Sequence, residues 1–313
     1  MKEHGAKPQM NIEEIYNRFS NKMVQVSLYV EAAKSLMNEE LKSLNQYAKA
    51  MDENPELKET YISFHAATFR DIRTGNLLYL GAKNSSIEDR KLAVVLHKNK
   101  QYQWLLAEAY EEFEDLIEAV YACCGLNDPN FWPLADYGNV TLAEMRTKEF
   151  DWHLEQASKK KNGPIGILEV FRKKWPELNE LDRDNSFDIH LKFAIILIEK
   201  LRHIIVHKAG VVGDKSQFIE VVLKAAGMNG NGKEKEENQA RIESFFGADE
   251  YTNTIVLLEV KDSRIPFMEH SRIRILLNFL VGYGIVIYQL AQKHLDELHG
   301  ITREATKEKN LDE

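Results

Sequence analysis

Residues 185–210 read NSFDIHLKFAIILIEKLRHIIVHKAG, and the fold class is most readily predicted from them. Its apolar residues recur every three or four positions, which is the spacing of one buried helix face. They are Phe187, Leu191, Ala194, Ile195, Ile198, Leu201 and Ile205. Asn185-Ser186 is a typical helix start, and Lys208-Ala209-Gly210 is a typical helix end. The pattern therefore predicts one long helix packed in the core of a helical protein.

The same periodicity predicts helices in most of the remaining chain. They are expected over residues 11–50, 62–79, 92–125, 165–175, 217–226 and 266–299. The pattern Ser85-Ser86-Ile87-Glu88 predicts a capping box, and residues 254–260 predict a strand in a small hairpin. Residues 227–237 are polar and glycine-containing, which predicts a mobile loop. The expected fold class is all-α, a helical bundle with a minor β-hairpin or strand insertion.

Composition and charge exclude some classes of protein. The chain has 313 residues, of which 44% are hydrophobic and 29% charged, so its body is not intrinsically disordered. A net charge of −8 excludes a uniformly basic nucleic-acid coat. The charge is unevenly distributed, however, with 12 acidic and 2 basic residues over 101–155 against 12 basic and 8 acidic over 156–215. Residues 185–210 thus lie in the basic part.

Cysteine usage and hydropathy indicate a soluble cytoplasmic protein. Cys123 and Cys124 are adjacent, so they cannot join distant parts of the fold, and we expect them reduced and buried in a helix. The polar N-terminus shows no signal peptide. The longest apolar stretch, residues 278–291, is shorter than the ~20 residues that span a bilayer. We therefore expect no membrane association.

Chemical signatures are sparse in this sequence. Phosphate-binding glycine loops and the Gly-x-Ser-x-Gly elbow are absent. His203 and His207 stand four residues apart and could hold a metal ion in a helical enzyme. Ile204 occupies the position of the general-base glutamate in a His-Glu-x-x-His protease, however. We therefore expect neither a metal nor a cofactor, and a metal-dependent enzyme using both histidines remains an alternative.

The segment Leu201-Arg202-His203-Ile204-Ile205-Val206-His207-Lys208-Ala209-Gly210 resembles the signature of the HEPN superfamily. Its ribonuclease members carry Arg, four to six residues, then His; a polar residue often follows the Arg, Val precedes the His, and Gly comes soon after. Arg202, His203, Val206, His207 and Gly210 match these features. The resemblance covers about residues 165–295, and residues 1–130 match nothing nameable.

Spacing alone does not single out this pair, since several Arg–His pairs in the chain fit the family's spacing. Among the others are Arg90/His97, Arg146/His153 and Arg264/His270. Only Arg202/His207 lies at the end of a long apolar helix with the rest of the signature around it.

The resemblance implies metal-independent RNA cleavage that leaves a 2′,3′-cyclic phosphate. Histidine suits proton transfer near neutral pH, and arginine suits phosphate binding. His207 would therefore handle the proton, Arg202 would bind the phosphate, and His203 would orient the phosphate or His207. The cations expected along the RNA are Lys208, Lys200, Arg172 and Lys173.

Helix geometry constrains this hypothesis. Arg202 and His207 lie about 140° apart around an ideal helix, so they do not share a face. Either the helix loosens before Gly210, or the site forms where two copies of the chain meet, as the resemblance implies for a homodimer.

The resulting hypothesis is an endoribonuclease that acts as a toxin or antiphage defence effector, with a regulatory or antitoxin protein as a further partner. The expected domains are 1–130, a helical region of unassigned function, 131–300, a HEPN-like domain, and 301–313, a charged and frayed tail. The alternative is a non-catalytic helical protein that binds RNA, a nucleotide or a partner.

Overall fold

We describe a computed structural model of the chain, covering residues 11–54, 56, 63–230, 232–261 and 269–300. The chain forms two compact units: the first comprises residues up to Val26 together with those from Leu106 onward, and the second comprises residues 27–105. This division differs from the expected boundary at 130, because residues on both sides of 130 pack into the first unit.

The described part of the chain contains ten α-helices and two two-stranded antiparallel sheets, which confirms the all-α class with a minor β component. The helices are α1 (Ile12–Glu53), α2 (Ile87–Asn127), α3 (Leu142–Met145), α4 (Phe150–Ser158), α5 (Gly163–Lys174), α6 (Pro176–Arg183), α7 (Leu191–Lys208), α8 (Lys215–Ala226), α9 (Lys233–Glu243) and α10 (Arg272–Leu298). The strands are β1 (Ser63–Arg70), β2 (Leu77–Ser85), β3 (Glu259–Lys261) and β4 (Glu269–Ser271).

Helix α7 is largely buried in the first unit, as its apolar periodicity predicts. It begins at Leu191 and not at Asn185, because Asp188 adopts a left-handed conformation (φ 50°) that interrupts the helix. The Asn185 amide donates instead to the carbonyl oxygens of Leu181 and Ile189. The predicted end is confirmed, since Ala209 turns left-handed directly after Lys208.

The core of the first unit forms where α1, α2 and α10 meet. At Gly284 of α10, a Cβ atom would lie 2.8 Å from Phe19 and 2.9 Å from Leu116, so only glycine permits this approach. Tyr16 of α1 stacks on Tyr288 of α10 with ring centroids 4.2 Å apart. Cys123 and Cys124 are buried as free thiols in α2, as expected, and burial raises the pKa of both.

The segment after α2 belongs to this core as well. Trp132 stacks on Tyr121 of α2 at 4.7 Å between ring centroids, and its indole N–H donates to the Tyr121 carbonyl at 2.8 Å. Phe131 is fully buried beside Phe171 of α5. These contacts explain why no division of the chain falls at residue 130.

The second unit contains a β-hairpin where the sequence predicts a helix over 62–79. Strands β1 and β2 pair antiparallel, with Phe69 opposite Leu78 and an irregularity between Ala67 and Thr68. The helix prediction is wrong because the described apolar side chains on this hairpin are largely exposed, so no two-residue alternation marks the strands. Within the connecting turn, the buried Asp71 carboxylate accepts from the Arg73 backbone and guanidinium.

Three further local predictions need correction. The loop predicted over 227–237 ends at residue 232, because α9 begins at Lys233 and buries Ile242. The capping box lies one residue later than predicted, since Ser86 and Asp89 cap α2 reciprocally. In the predicted strand 254–260, Thr254 and Ile255 form isolated bridges, and only the end of the segment belongs to β3.

Helix α10 is longer than the apolar stretch recognised in the sequence. Among the described residues it is the one helix long and apolar enough to cross a membrane by length and composition. Ten residues of α10 are buried within the first unit. The core helix of a soluble protein meets the same criterion. The length and composition of α10 therefore do not show whether it lies in a membrane or in a protein core.

Candidate functional site

The last two turns of α7 carry the resemblance segment and present its histidines to solvent. His203 and His207 are both exposed, and their rings lie 4.7 Å apart between centroids because they are one helical turn apart. Between them, Ile204 and Ile205 are buried and anchor the helix in the core. The histidines are therefore held on a rigid element.

Arg202 lies on a different side of α7 and faces α2. Its Nη2 donates to Glu111 Oε1 at 2.9 Å, and the side chains of Arg202 and Glu111 are 25% and 59% exposed. The Nε atom of Arg202 is buried without a hydrogen-bond partner. The Nε atom of the guanidinium is thus buried, whereas its Nη2 atom pairs with the solvent-exposed carboxylate of Glu111.

The surroundings of Arg202 are acidic. Burial raises the pKa of Glu114, an effect that the Arg202 charge partly offsets. Burial, together with the Glu199 and Glu114 charges, raises the pKa of Tyr110 well above its ordinary value. The Tyr110 hydroxyl is buried and unpartnered. An incoming phosphate would therefore meet one cation among several carboxylates.

The structure decides between the two geometries that the sequence leaves open. Helix α7 continues without interruption to Lys208, so it does not loosen between Arg202 and His207. Within one chain, His203 and His207 lie together, whereas Arg202 points to α2. In the described structure, Arg202 and His207 therefore do not converge within one chain.

The four cations assigned to an RNA path occupy different environments. Lys208 and Lys173 are exposed, while Lys200 is half-buried and pairs with the adjacent Glu199 at 3.1 Å. Arg172 is 6% exposed, and its Nε donates to the buried Asp182 at 2.6 Å. The assignment of Arg172 to an RNA path is wrong, because its guanidinium is enclosed by protein partners.

The histidine pair gives two metal ligands of the correct spacing and no third. No group of three or more His, Cys, Asp or Glu side chains that could hold a metal ion occurs in the part of the chain that the structure describes. A catalytic zinc site needs three protein ligands. The described residues therefore give the metal-dependent alternative no site.

Glu111 is the functional neighbour that sequence reasoning missed. Glu199, Glu169 and Asp188 all lie nearer to Arg202 in the sequence, yet Glu169 pairs with Lys192 and Arg172. Glu111 lies 91 residues from Arg202 in the chain, so no local pattern indicates the contact. The only sequence signal that agrees with the Arg202–Glu111 contact is the acidic excess of residues 101–155.

Comparison of the chain with family models, with curated proteins and with solved structures finds no match. The geometry of α7 and its surroundings, together with the resemblance of residues 201–210, therefore carries the functional inference.

Proposed function

We propose that this protein is a metal-independent endoribonuclease that acts as a homodimer, with Arg202 and His207 of two copies at one phosphate. The observation that carries the proposal is the end of α7, which holds two exposed histidines and a half-exposed arginine on one rigid helix. Histidine and arginine in such a place supply a proton acceptor and a phosphate clamp.

The chemistry needs no metal ion. His207 would accept the proton of the ribose 2′-hydroxyl, whose oxygen attacks the adjacent phosphorus. Arg202 would bind the phosphate oxygens as negative charge accumulates on them. The protonated His207 would then give this proton to the leaving 5′-oxygen. The products would be a 2′,3′-cyclic phosphate and a 5′-hydroxyl, which conserves all atoms.

The exposed cations support binding of an RNA backbone at the same end of the helix. Lys208 follows His207 directly and forms no ion pair with another described residue. Lys173 is likewise exposed, so it can contact a phosphate. His203 would orient His207 or the phosphate, since its ring is next to the His207 ring.

The biological context is part of the same proposal. We infer that the enzyme acts in the cytoplasm as a toxin or defence effector, restrained by a regulatory or antitoxin protein. An RNA-cleaving protein needs such restraint, and the pairing of Arg202 with Glu111 indicates that the resting chain does not present a free arginine.

The direct test incubates 5′-labelled RNA with the purified full-length protein in EDTA. We expect fragments that end in a 2′,3′-cyclic phosphate, which acid converts to a mixture of 2′- and 3′-phosphates. Fragments that end in a 3′-hydroxyl, or cleavage that stops in EDTA, would contradict the proposal.

Glu111→Gln is expected to improve RNA binding by this site. The substitution removes the carboxylate that competes with phosphate for Arg202, and a partly exposed ion pair is worth about 1 kcal/mol. The KM for a short fluorogenic RNA should therefore fall about three- to five-fold, with kcat changed little. Glu108→Gln is the control, since it removes the same charge one turn earlier in α2. An equal fall in KM for both variants would show a general charge effect.

The alternative is a non-catalytic binding protein, and one observation favours it: Arg202 already has a protein partner and lies among carboxylates. In that case Glu111→Gln would lower stability and leave RNA uncleaved. The EDTA experiment separates the two functions.

A further inference from the structure

An apolar groove lies within the first unit, between the beginning of α1, the second half of α2 and α4. Its volume is about 560 Å³, which is within the range of small-molecule sites. The apolar part of its surface comes from Ile15, Phe19, Leu116, Phe150 and Leu154. The first four of these are buried by neighbouring helices, so they form a fixed floor.

Carboxylates surround this apolar floor. They belong to Glu112, Asp115, Glu118, Asp151 and Glu155, against a single cation, Arg18. Lys22, Arg18 and Lys159 pair with three of them from the side. Glu118 and Asp151 form no hydrogen bond or ion pair with other described residues. The groove thus combines apolar contact area with unneutralised negative charge.

The Glu118 carboxylate is partly buried near other carboxylates and has no counter-ion among the described residues. Burial, and then the Glu114 and Asp115 charges, raise its pKa to about 7. A cation in the groove would stabilise the ionised carboxylate. The same carboxylates do not converge on one point, because no metal-holding group of acidic side chains occurs among the described residues. The charge is distributed along the groove instead.

We propose that this groove binds a linear aliphatic polyamine. Such a molecule carries several ammonium groups separated by methylene chains, so its charges can pair with carboxylates spread along α2 and α4. Its methylenes would cover the apolar floor, and the removal of this surface from water would favour binding. Residues 150–158 of α4 extend about 12 Å, which gives an elongated ligand room to lie along the helix.

Isothermal titration of the full-length protein with spermidine at pH 8 and fixed ionic strength tests this proposal. We expect saturable binding of one molecule per chain that magnesium chloride at the same ionic strength does not reproduce. Glu118→Gln should weaken spermidine binding about five-fold, the loss expected for one partly exposed ion pair. Leu154→Ser should weaken it by a similar factor through lost apolar contact. Glu220→Gln, an exposed acidic residue on α8, is the control and should bind as wild type.

Several results would overturn the proposal. If Glu118→Gln and Glu220→Gln weakened spermidine binding equally, or if magnesium displaced spermidine at equal concentration, the attraction would be diffuse and electrostatic. Binding of a peptide of alternating Lys and Leu in a Glu118-dependent manner, with no binding of spermidine, would assign the groove to a protein segment. The assay contains no RNA, so its outcome is independent of ribonuclease activity.

Discussion

Arg202→Ala and His207→Ala are each expected to lose RNA cleavage, and a mixture of the two is expected to regain about a quarter of wild-type activity. Loss of a general base or of a charge-stabilising donor costs about 10²–10⁴-fold in rate. In a mixed dimer, one of the two sites keeps both Arg202 and His207, provided that they come from different chains. Random exchange of chains makes half of the dimers mixed, and each mixed dimer keeps one of its two sites. The expected activity is therefore a quarter of the wild-type activity.

This complementation follows from the geometry of α7. The helix is continuous and Arg202 faces Glu111 on α2, so one chain does not bring Arg202 and His207 to one phosphate. The measurement is the cleavage rate of labelled RNA in EDTA after co-expression of the two variants with different affinity tags. His207 is exposed, so His207→Ala should keep the wild-type circular dichroism and melting temperature.

Absence of complementation would contradict the composite site, even if both variants were inactive alone. Full activity in either variant would contradict the ribonuclease proposal itself. Lys208→Ala is a useful comparison, since loss of one phosphate contact should raise KM and reduce the salt dependence of binding without abolishing cleavage.

The helices that bury one face could be predicted from sequence, and the exposed hairpin could not. In α7 the apolar spacing follows directly from burial, because ten of its residues are packed in the core. In β1 and β2 the described side chains are mostly exposed, so the sequence carries no alternation of apolar and polar residues. Phe69 and Ile72, three residues apart, then match a helix by chance. Helix α9 was missed for the related reason that it buries few apolar residues.

The candidate site could be predicted only as far as it is local. Residues 201–210 indicate the chemistry, and helix geometry indicates that Arg202 and His207 diverge. The partner of Arg202 could not be foreseen, because packing of α7 against α2 brings Glu111 to it from a distant part of the chain. Adjacent positively charged residues are likewise indistinguishable in sequence, although Arg172 is buried and Lys173 is exposed.

The burial of Arg172 leads to the largest expected change in stability. Asp182→Ala is expected to destabilise the first unit by about 3–5 kcal/mol, the cost of leaving a buried charge without its partner. Asp182 is 2% exposed; it accepts from Arg172 Nε at 2.6 Å and from the Tyr283 hydroxyl at 3.0 Å. Arg172 Nη2 also donates to the Tyr283 hydroxyl at 2.9 Å, which closes a buried triangle between α5, α6 and α10.

Urea unfolding followed by circular dichroism measures this loss, and three variants make the measurement specific. Lys173→Ala, next to Arg172 in α5, should change the free energy of unfolding by less than about 0.5 kcal/mol while it weakens RNA binding. Arg172→Met combined with Asp182→Leu should recover most of the stability, because an apolar pair leaves no buried charge. Tyr283→Phe should cost about 2–3 kcal/mol, because it removes buried hydrogen bonds to two charged groups. If Asp182→Ala were as stable as wild type, the triangle would not hold the three helices together.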